Sequence, residues 1–308
     1  MKPCPASFTV VVALVLVALG AAGSDAHAQA WVEDKGTLAF SLDYNLGISD
    51  EVLGDQNIKF PDAGTTTHQF TLAGEYVLVD RLAVEASLPL ALFTYTGSKT
   101  LYPHPGGGSY DDGNLHTTLT DLRVGARYQL LEDPVAISPH IGVSIPVASY
   151  ETVGNTVAGR HLKALHLGAG IGRVFGEATY VHLLYEFSLV EKYDRTPNTQ
   201  LIGQNRSDFT FTIGHKFLDQ RLDIHADANG RVTHGGVNFS QLDAGTVAAD
   251  DVMFHDPLLA ESILLAGGGV GYQIASNLGI NAGARLFLTG SNTQNASVYV
   301  LGVTWTAL

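Results

Sequence analysis

The feature that most constrains the fold of this chain is an alternation of apolar and polar residues with a period of two. In the stretch TDLRVGARYQLL, residues 120–131, Leu122 and Val124 alternate with Asp121 and Arg123. Successive side chains of a β-strand point to opposite faces, so one face of this strand is apolar and the other is charged. About twelve stretches show this pattern, and several are longer than an average globular strand. The predicted strands are 37–47, 67–78, 82–90, 120–131, 137–145, 162–174, 181–187, 208–217, 222–232, 270–274, 278–288 and 299–308.

The connections between the predicted strands alternate between tight turns and long loops. The tight turns are 80–81, 132–134, 175–177, 218–221 and 275–277, and the long loops are 48–66, 91–116, 148–161, 190–206 and 232–257. Short turns at one rim and long loops at the other are typical of an outer-membrane β-barrel. Strands in lipid cannot leave an edge unpaired, so the first and last strands must meet. The sequence therefore predicts an all-β fold, a closed antiparallel transmembrane β-barrel of about twelve strands with both termini at the periplasmic, short-turn side.

Aromatic residues give a second indication of a barrel, because amphipathic rings settle at both membrane interfaces. One predicted girdle lies near the short turns and consists of Tyr76, Tyr128, Phe175, Phe217, Tyr272 and Trp305. The other lies near the long loops and consists of Tyr44, Phe70, Phe93, Tyr95, Tyr185, Phe187 and Tyr299.

Residues 1–30 are predicted to be a cleaved secretory signal peptide. Lys2 precedes an apolar run over residues 8–22, and small residues after it offer cleavage sites at Ala28 and Ala30. Residues 31–308 then form a single transmembrane β-barrel domain located in the bacterial outer membrane. Cys4 is the only cysteine and lies before the apolar run, so the mature chain is expected to lack disulfides.

Composition excludes some classes of partner. The net charge is −13, so the basic surface that nucleic acid requires is missing. Only 15% of residues are charged, which is low for a soluble domain and is expected of a surface that faces lipid. The expected partners are outer-membrane lipid and lipopolysaccharide, the barrel-assembly machinery and a small-molecule solute.

The charged face of each strand is predicted to line the barrel lumen, since a cation at mid-depth on the lipid side costs about 2–4 kcal/mol. The predicted lumen-lining residues are Glu85, Asp121, Arg123, Arg127, His140, His166, His182, Glu186, Asp208, Asp223, His225, Asp227, Arg231 and Arg285. Arg206 and Lys216 share the polar face of one strand with Asp208. The sequence leaves open whether these side chains line an open pore or fill the lumen with ion pairs.

Three of these segments, TDLRVGARYQLL, SPHIGVSIPV and HLGAGIGRVF, resemble the exported barrel proteins of the MetA-pathway phenol-degradation family. The resemblance extends loosely over nearly the whole mature chain. It implies a transporter-like role in the outer membrane for aromatic or other hydrophobic compounds. The resemblance identifies no binding residue in this sequence.

The sequence was also searched for enzymatic and metal-binding patterns. Asp223, His225 and Asp227 have a spacing that can hold a metal, but polar lumen lining accounts for them equally well, and no metal or cofactor is expected. Gly168, Gly170 and Gly172 alternate along a strand without a following helix, so they are read as small residues easing barrel curvature rather than a phosphate loop. No predicted strand carries a serine beside a histidine on its lipid-facing side. The chain is therefore not expected to be an enzyme.

Two further groups leave alternatives open. Asp250, Asp251, His255 and Asp256 form an acidic loop that matches a protease rim only in composition. The acidic loops over 50–62 and 243–256 either bind divalent cations that bridge lipopolysaccharide phosphates or are acidic only because they are exposed to solvent. Three hypotheses remain: a channel or transporter-like barrel for small compounds, a non-conducting structural or receptor barrel, and an outer-membrane hydrolase.

Two features fit a barrel less well. Pro89, Pro139 and Pro146 lie in predicted strands, where proline removes a hydrogen-bond donor. They are expected near strand ends, at bulges or frayed rims. The sequence finishes on Ala307-Leu308 rather than on the aromatic residue usual for such barrels, and Trp305 is the expected substitute.

Overall fold

The computed structural model describes residues 30–98, 110–152, 154, 156–192, 202–243 and 258–307. These residues form thirteen strands and one short helix. The strands are β1 (Leu38–Leu53), β2 (Lys59–Val79), β3 (Leu82–Tyr95), β4 (His116–Leu119), β5 (Asp121–Tyr128), β6 (Ala136–Pro146), β7 (Ala164–Phe175), β8 (Thr179–Val190), β9 (Gln204–Phe217), β10 (Leu222–Gly235), β11 (Ser262–Ala275), β12 (Leu278–Ser291) and β13 (Thr293–Ala307). The helix, α1 (Phe239–Asp243), lies between β10 and β11.

The strands close into one antiparallel barrel. β1 pairs with β2 on one side and with β13 on the other, where Leu38 is opposite Ala307. β4 and β5 share one position in the barrel, because both pair with β3, at different heights. The barrel therefore has twelve strand positions and one extra strand, and the predicted closed barrel of about twelve strands is confirmed.

Pro89 explains the division between β4 and β5. β5 pairs with β3 up to Ser87, and β4 takes over from Leu90. Between them Pro89 offers no N–H, but its carbonyl accepts the Thr120 N–H at 3.0 Å. Pro139 and Pro146 lie near the ends of β6, as expected, whereas Pro89 lies inside β3 and the expectation of a strand-end position was wrong there.

The outer surface of the barrel is apolar. Exposed side chains include Leu72, Leu286 and Leu301, which are 58%, 55% and 56% exposed. Charged residues of the barrel strands, such as Arg127 and Asp227, are instead buried. An apolar exterior around a polar interior is the arrangement that lipid requires of a β-barrel. No helix in the described part of the chain is long and apolar enough to cross a membrane.

The loop asymmetry is partly as predicted. Tight turns connect the strands at 80–81, 176–178, 218–221 and 276–277. The connections from β3 to β4, β6 to β7, β8 to β9 and β10 to β11 are long. The predicted loop 48–66 is wrong, because β1 and β2 continue through it to a turn at 54–58. Polar residues and Pro61 hid the strand pattern there. Ser49 opposite Thr65 and Val52 opposite Phe60 keep the backbone ladder.

The predicted aromatic girdles are also partly correct. Tyr76, Tyr128 and Tyr299 are exposed on the outer surface. Phe93 and Tyr95 are only 1% and 4% exposed, and they pair with Thr67 and Thr65, so they belong to the interior. The predicted strand ended at residue 90, but β3 continues to Tyr95, and Phe93 and Tyr95 follow Glu85 and Ser87 on the inward face.

Candidate functional site in the barrel lumen

The lumen contains three adjoining cavities. The central cavity measures about 660 Å³, the upper cavity, below the long loops, about 380 Å³, and the lower cavity, at the short-turn rim, about 370 Å³. Arg206 and Arg231 line both the central and the upper cavity. Leu184, Thr210 and Thr304 line both the central and the lower cavity. The three cavities therefore follow one another along the barrel axis.

The structure places the predicted lumen residues around these cavities. The central cavity is lined by Glu85, Arg123, Arg127, His140, His166, Glu186, Asp208 and Arg231. The lower cavity is lined by His182, Asp223, His225 and Arg285, and the upper cavity by Asp121 and Arg231. Asp227 is buried beside Arg285, and Arg285 Nε donates to Asp227 Oδ1 at 2.8 Å.

Glu186 is the centre of the largest polar network in the wall of the central cavity. It accepts hydrogen bonds from both terminal nitrogens of Arg123. Its carboxylate also lies 2.9 Å from His140 Nε2 and 2.9 Å from His166 Nδ1. This network joins strands β5, β6, β7 and β8. A buried carboxylate such as Glu186 needs several hydrogen-bond and charge partners to offset the cost of its desolvation.

The glycines of β7 make room for these inward side chains. An added Cβ at Gly168 would lie 2.5 Å from the His140 ring, and one at Gly172 would lie 2.4 Å from the Trp31 ring. The close approach of neighbouring atoms accounts for these two glycines: the Tyr185 carbonyl oxygen and the His140 ring at Gly168, and the Trp31 ring at Gly172.

A serine–histidine–glutamate arrangement lies in the same network. Ser144 Oγ is 3.0 Å from His166 Nε2, and His166 Nδ1 is 2.9 Å from Glu186 Oε1. The sequence search considered only the lipid-facing side and so missed this contact, which forms between β6 and β7 on the lumen side. His166 Nδ1 is shared with Ser188 Oγ at 2.9 Å. Ser144 lines none of the three cavities, so no path to its hydroxyl is provided through them.

The acidic residues of the lower cavity are held by neighbouring side chains. His225 Nδ1 lies 2.8 Å from Asp223 Oδ2, and Tyr180 donates to Asp223 Oδ1 at 3.0 Å. Arg285 and Asn229 donate to Asp227. Within the described residues no group of three or more histidine, cysteine, aspartate or glutamate side chains is arranged to hold a metal ion.

The boundary between the central and upper cavities is rich in arginine. Arg160 donates to Glu261 at 2.9 Å, and Arg231 Nε donates to Asp208 at 2.6 Å. Arg231 also lies 3.6 Å from Glu261. Burial alone would raise the pKa of Glu261, but the nearby arginines, with a hydrogen bond from Thr293, hold that pKa below its ordinary value. Glu261 is therefore ionised at neutral pH.

An N-terminal segment, residues 30–34, lies inside the barrel near the short-turn end. The Val32 N–H donates to Gln129 Oε1 at 2.7 Å, and the Ala30 carbonyl accepts from Ser138 Oγ at 2.7 Å and from Gln129 Nε2 at 3.0 Å. Trp31 and Glu33 of this segment line the central cavity. Nothing in the alternation of the strands indicates this insertion, because the segment precedes β1 and carries no strand pattern.

Buried apolar residues close the long-loop end. This cap cluster consists of Val52, Ala63, Leu162, Ala164, Val190, Val237, Phe239, Leu258 and Leu259. Phe239 begins α1 and is fully buried, and its N–H donates to Asn292 Oδ1 at 3.1 Å. The Ser240 N–H of the same helix donates to Asp55 Oδ1 at the β1–β2 turn at 2.8 Å. The predicted rim residues Asp250, Asp251, His255 and Asp256 lie outside the described residues.

Comparisons with known proteins support the fold. No family model matches the chain, and no curated protein matches it. Among solved structures, an outer membrane channel from Pseudomonas putida F1 has a TM-score of 0.70 at 14% identity, covering 92% of this chain and 100% of that one. The translocator domain of the autotransporter NalP from Neisseria meningitidis has a TM-score of 0.51 at 10% identity, covering 97% and 96%. The NanC porin has a TM-score of 0.50 at 8% identity, covering 86% and 98%.

These similarities show the fold of outer-membrane β-barrels. They agree with the fold that the sequence resemblance implied, and identities this low carry no information on the molecule that passes through or binds.

Proposed function

We propose that this protein is an outer-membrane channel or transporter-like barrel for small compounds. The observation that carries the proposal is the series of adjoining cavities, which extends from below the cap cluster to the short-turn rim. A barrel with a purely structural role has no need of a continuous interior space. Several of the charges that line the space are paired, among them Arg123 with Glu186, Arg231 with Asp208 and Arg285 with Asp227.

The fold similarity to an outer membrane channel from Pseudomonas putida F1 is consistent with this proposal. Residues 30–34 lie in the lumen near the short-turn end and the cap cluster lies at the long-loop end, so passage from one side to the other requires that both move. We further propose that the predicted signal peptide, residues 1–30, directs export, and that aromatic or other hydrophobic compounds are among the solutes, as the sequence resemblance implies.

The test is solute flux through proteoliposomes that contain the refolded mature chain, residues 31–308. Entry of a labelled small aromatic compound such as phenol, relative to liposomes that contain heat-unfolded protein, is the expected result. Phenol partitions into bilayers, so a small polar solute such as glycine is measured in parallel. Equal permeability of folded and unfolded preparations to both solutes would contradict the proposal and favour a non-conducting structural or receptor barrel.

A hydrolase is the second candidate, because Ser144, His166 and Glu186 are aligned as nucleophile, base and orienting acid. Labelling of the folded protein by a fluorophosphonate separates the two candidates. Labelling that disappears in Ser144→Ala would support the hydrolase. The channel proposal predicts no labelling, since Ser144 lines none of the three cavities.

A further inference from the structure

Arg206 differs from the other arginines at the boundary of the central and upper cavities. Its Nε is buried, and its guanidinium makes neither a hydrogen bond nor an ion pair with any described residue. The carboxylates nearby are already engaged, because Asp208 accepts from Arg231 and Glu261 accepts from Arg160. A guanidinium carries five N–H donors in a planar fork that matches a carboxylate. Arg206 therefore holds unused donors at the point where two cavities meet.

The remaining charges around Arg206 do not fill this role. Asp121, which also interacts with it electrostatically, already accepts a hydrogen bond from Tyr150 Oη at 2.8 Å. Arg160 and Arg231 surround Arg206 with further positive charge. Asp208 and Glu261 offset part of this charge, but their hydrogen bonds go to Arg231 and Arg160, so an anion that accepts from Arg206 would stabilise the arrangement.

The upper cavity adds an apolar surface beside this cation. Val52, Leu162, Phe239 and Leu259, all members of the cap cluster, line it together with Arg206. Its volume of about 380 Å³ lies in the range of small-molecule sites, and these apolar side chains share its lining with charged ones, among them Arg206, Arg231 and Glu261.

We propose that the upper cavity binds small monocarboxylates with an apolar body, with the carboxylate on Arg206 and the body against the cap cluster. This inference rests on the proposed function and specifies its solute class. The bound carboxylate receives charge-assisted, bidentate hydrogen bonds from Arg206. A neutral solute of the same shape lacks this interaction and fills only the apolar part of the cavity.

The experiment is titration calorimetry on the mature chain folded in detergent, with benzoate, benzamide and acetate as probes. Benzoate is expected to bind, and benzamide and acetate to bind more weakly. Arg206→Gln is expected to weaken benzoate binding on the order of 10- to 100-fold, as for loss of hydrogen bonds to a charged group, and to leave benzamide binding unchanged. Because no ion pair is lost, the variant is expected to fold like the wild type.

The matched control is Arg173→Gln, which removes a positive charge from the short-turn rim, where Arg173 is exposed and lies 5.0 Å from the centre of the Phe175 ring. Benzoate binding is expected to be unchanged in this variant. Equal affinity for benzoate and benzamide, or unchanged benzoate binding in Arg206→Gln, would overturn the assignment. Acetate binding as tight as benzoate binding would overturn the role of the apolar surface.

Flux measurements separate the failure of this inference from the failure of the proposed function. Solute flux without selective benzoate binding would overturn the Arg206 site and leave the channel standing. Selective benzoate binding that Arg206→Gln abolishes, in a protein that transports nothing, would support the site and contradict the channel.

Discussion

Chain segments lie in the lumen near both of its ends, but different interactions hold them there. At the long-loop end, the cap cluster buries Phe239 and Leu258 completely and joins residues from several connections into one apolar contact. At the short-turn end, the N-terminal segment of the mature chain is held by the hydrogen bond from the Val32 N–H to Gln129 and by the fit of Trp31 against Gly172. Each hydrogen bond contributes a net stabilisation of about 0.5–1.5 kcal/mol, whereas burial of one large aromatic side chain stabilises the folded state by more.

This difference indicates which end opens first. The N-terminal segment leaves the lumen by exchanging the Val32–Gln129 hydrogen bond for one to water, and the barrel wall is unaffected. Opening the cap requires exposure of several buried apolar side chains at once. We therefore expect the short-turn end to be the more easily opened closure, with the cap acting as the stable wall of the upper cavity.

The largest expected effect on stability comes from the cap. Phe239→Ala leaves a cavity among buried neighbours and is expected to lower the local stability of the cap by about 3–5 kcal/mol. The Val237 N–H donates to the Leu258 carbonyl at 2.8 Å, and the Ala260 N–H donates to the Val237 carbonyl at 2.9 Å. Loss of cap stability is expected to increase the hydrogen-exchange rate of these two amides. Phe217→Ala on the exposed outer surface is the control, and exchange at these amides as slow as in the wild type would show that the cap does not depend on Phe239.

A smaller effect is expected at the short-turn end. Gly172→Ala places a Cβ against the Trp31 ring and so displaces the N-terminal segment, with a loss of about 0.5–1.5 kcal/mol if the Val32–Gln129 hydrogen bond breaks. Quenching of Trp31 fluorescence by acrylamide should increase. Gly271→Ala, whose Cβ has an ordinary 3.5 Å contact with Asp223, is the matched control. Unchanged quenching in Gly172→Ala would mean that Trp31 tolerates the added group and is not tightly seated.

The smallest effect concerns a polar contact in a long loop. Hydrogen bonds from the Asn114 side chain, from His116 and from the Asn114 N–H hold the pKa of Asp112 well below its ordinary value of 3.8. The contact is therefore fully formed above pH 3.8 and is lost only as the pH falls through the lowered pKa. Hydrogen exchange of the Asn114 amide, after correction for the intrinsic rate, is expected to be constant from pH 7 to about pH 4. Asp112→Asn is the control, and loss of protection already at pH 5 would contradict this contact.

The sequence predicted the barrel itself well, because alternation along a strand reports directly on two different environments. Asp121, Arg123 and Glu186 lie in the interior because lipid excludes them from the other face. The hairpin formed by β1 and β2 was missed where its residues are polar on both faces. Backbone pairing there needs no apolar stripe.

The closures and the partners of the charges were not predictable from one sequence. Trp31 and Phe239 lie outside the strands, so their burial depends on loop paths that carry no periodic signal. Arg206 was recognised as polar lumen lining, but its lack of a partner depends on where Arg160 and Glu261 lie, and both come from connections between strands. Sequence patterns give the face of a residue and do not give its neighbour across the lumen.

The most direct test of the account is single-channel recording in planar bilayers of the mature chain beside a variant that lacks residues 31–34. The account predicts discrete conductance steps in both, with openings severalfold more frequent in the variant, because only the cap cluster then has to move. Silent bilayers from both proteins, each shown to be folded by heat-modifiable migration, would contradict a solute path through this lumen.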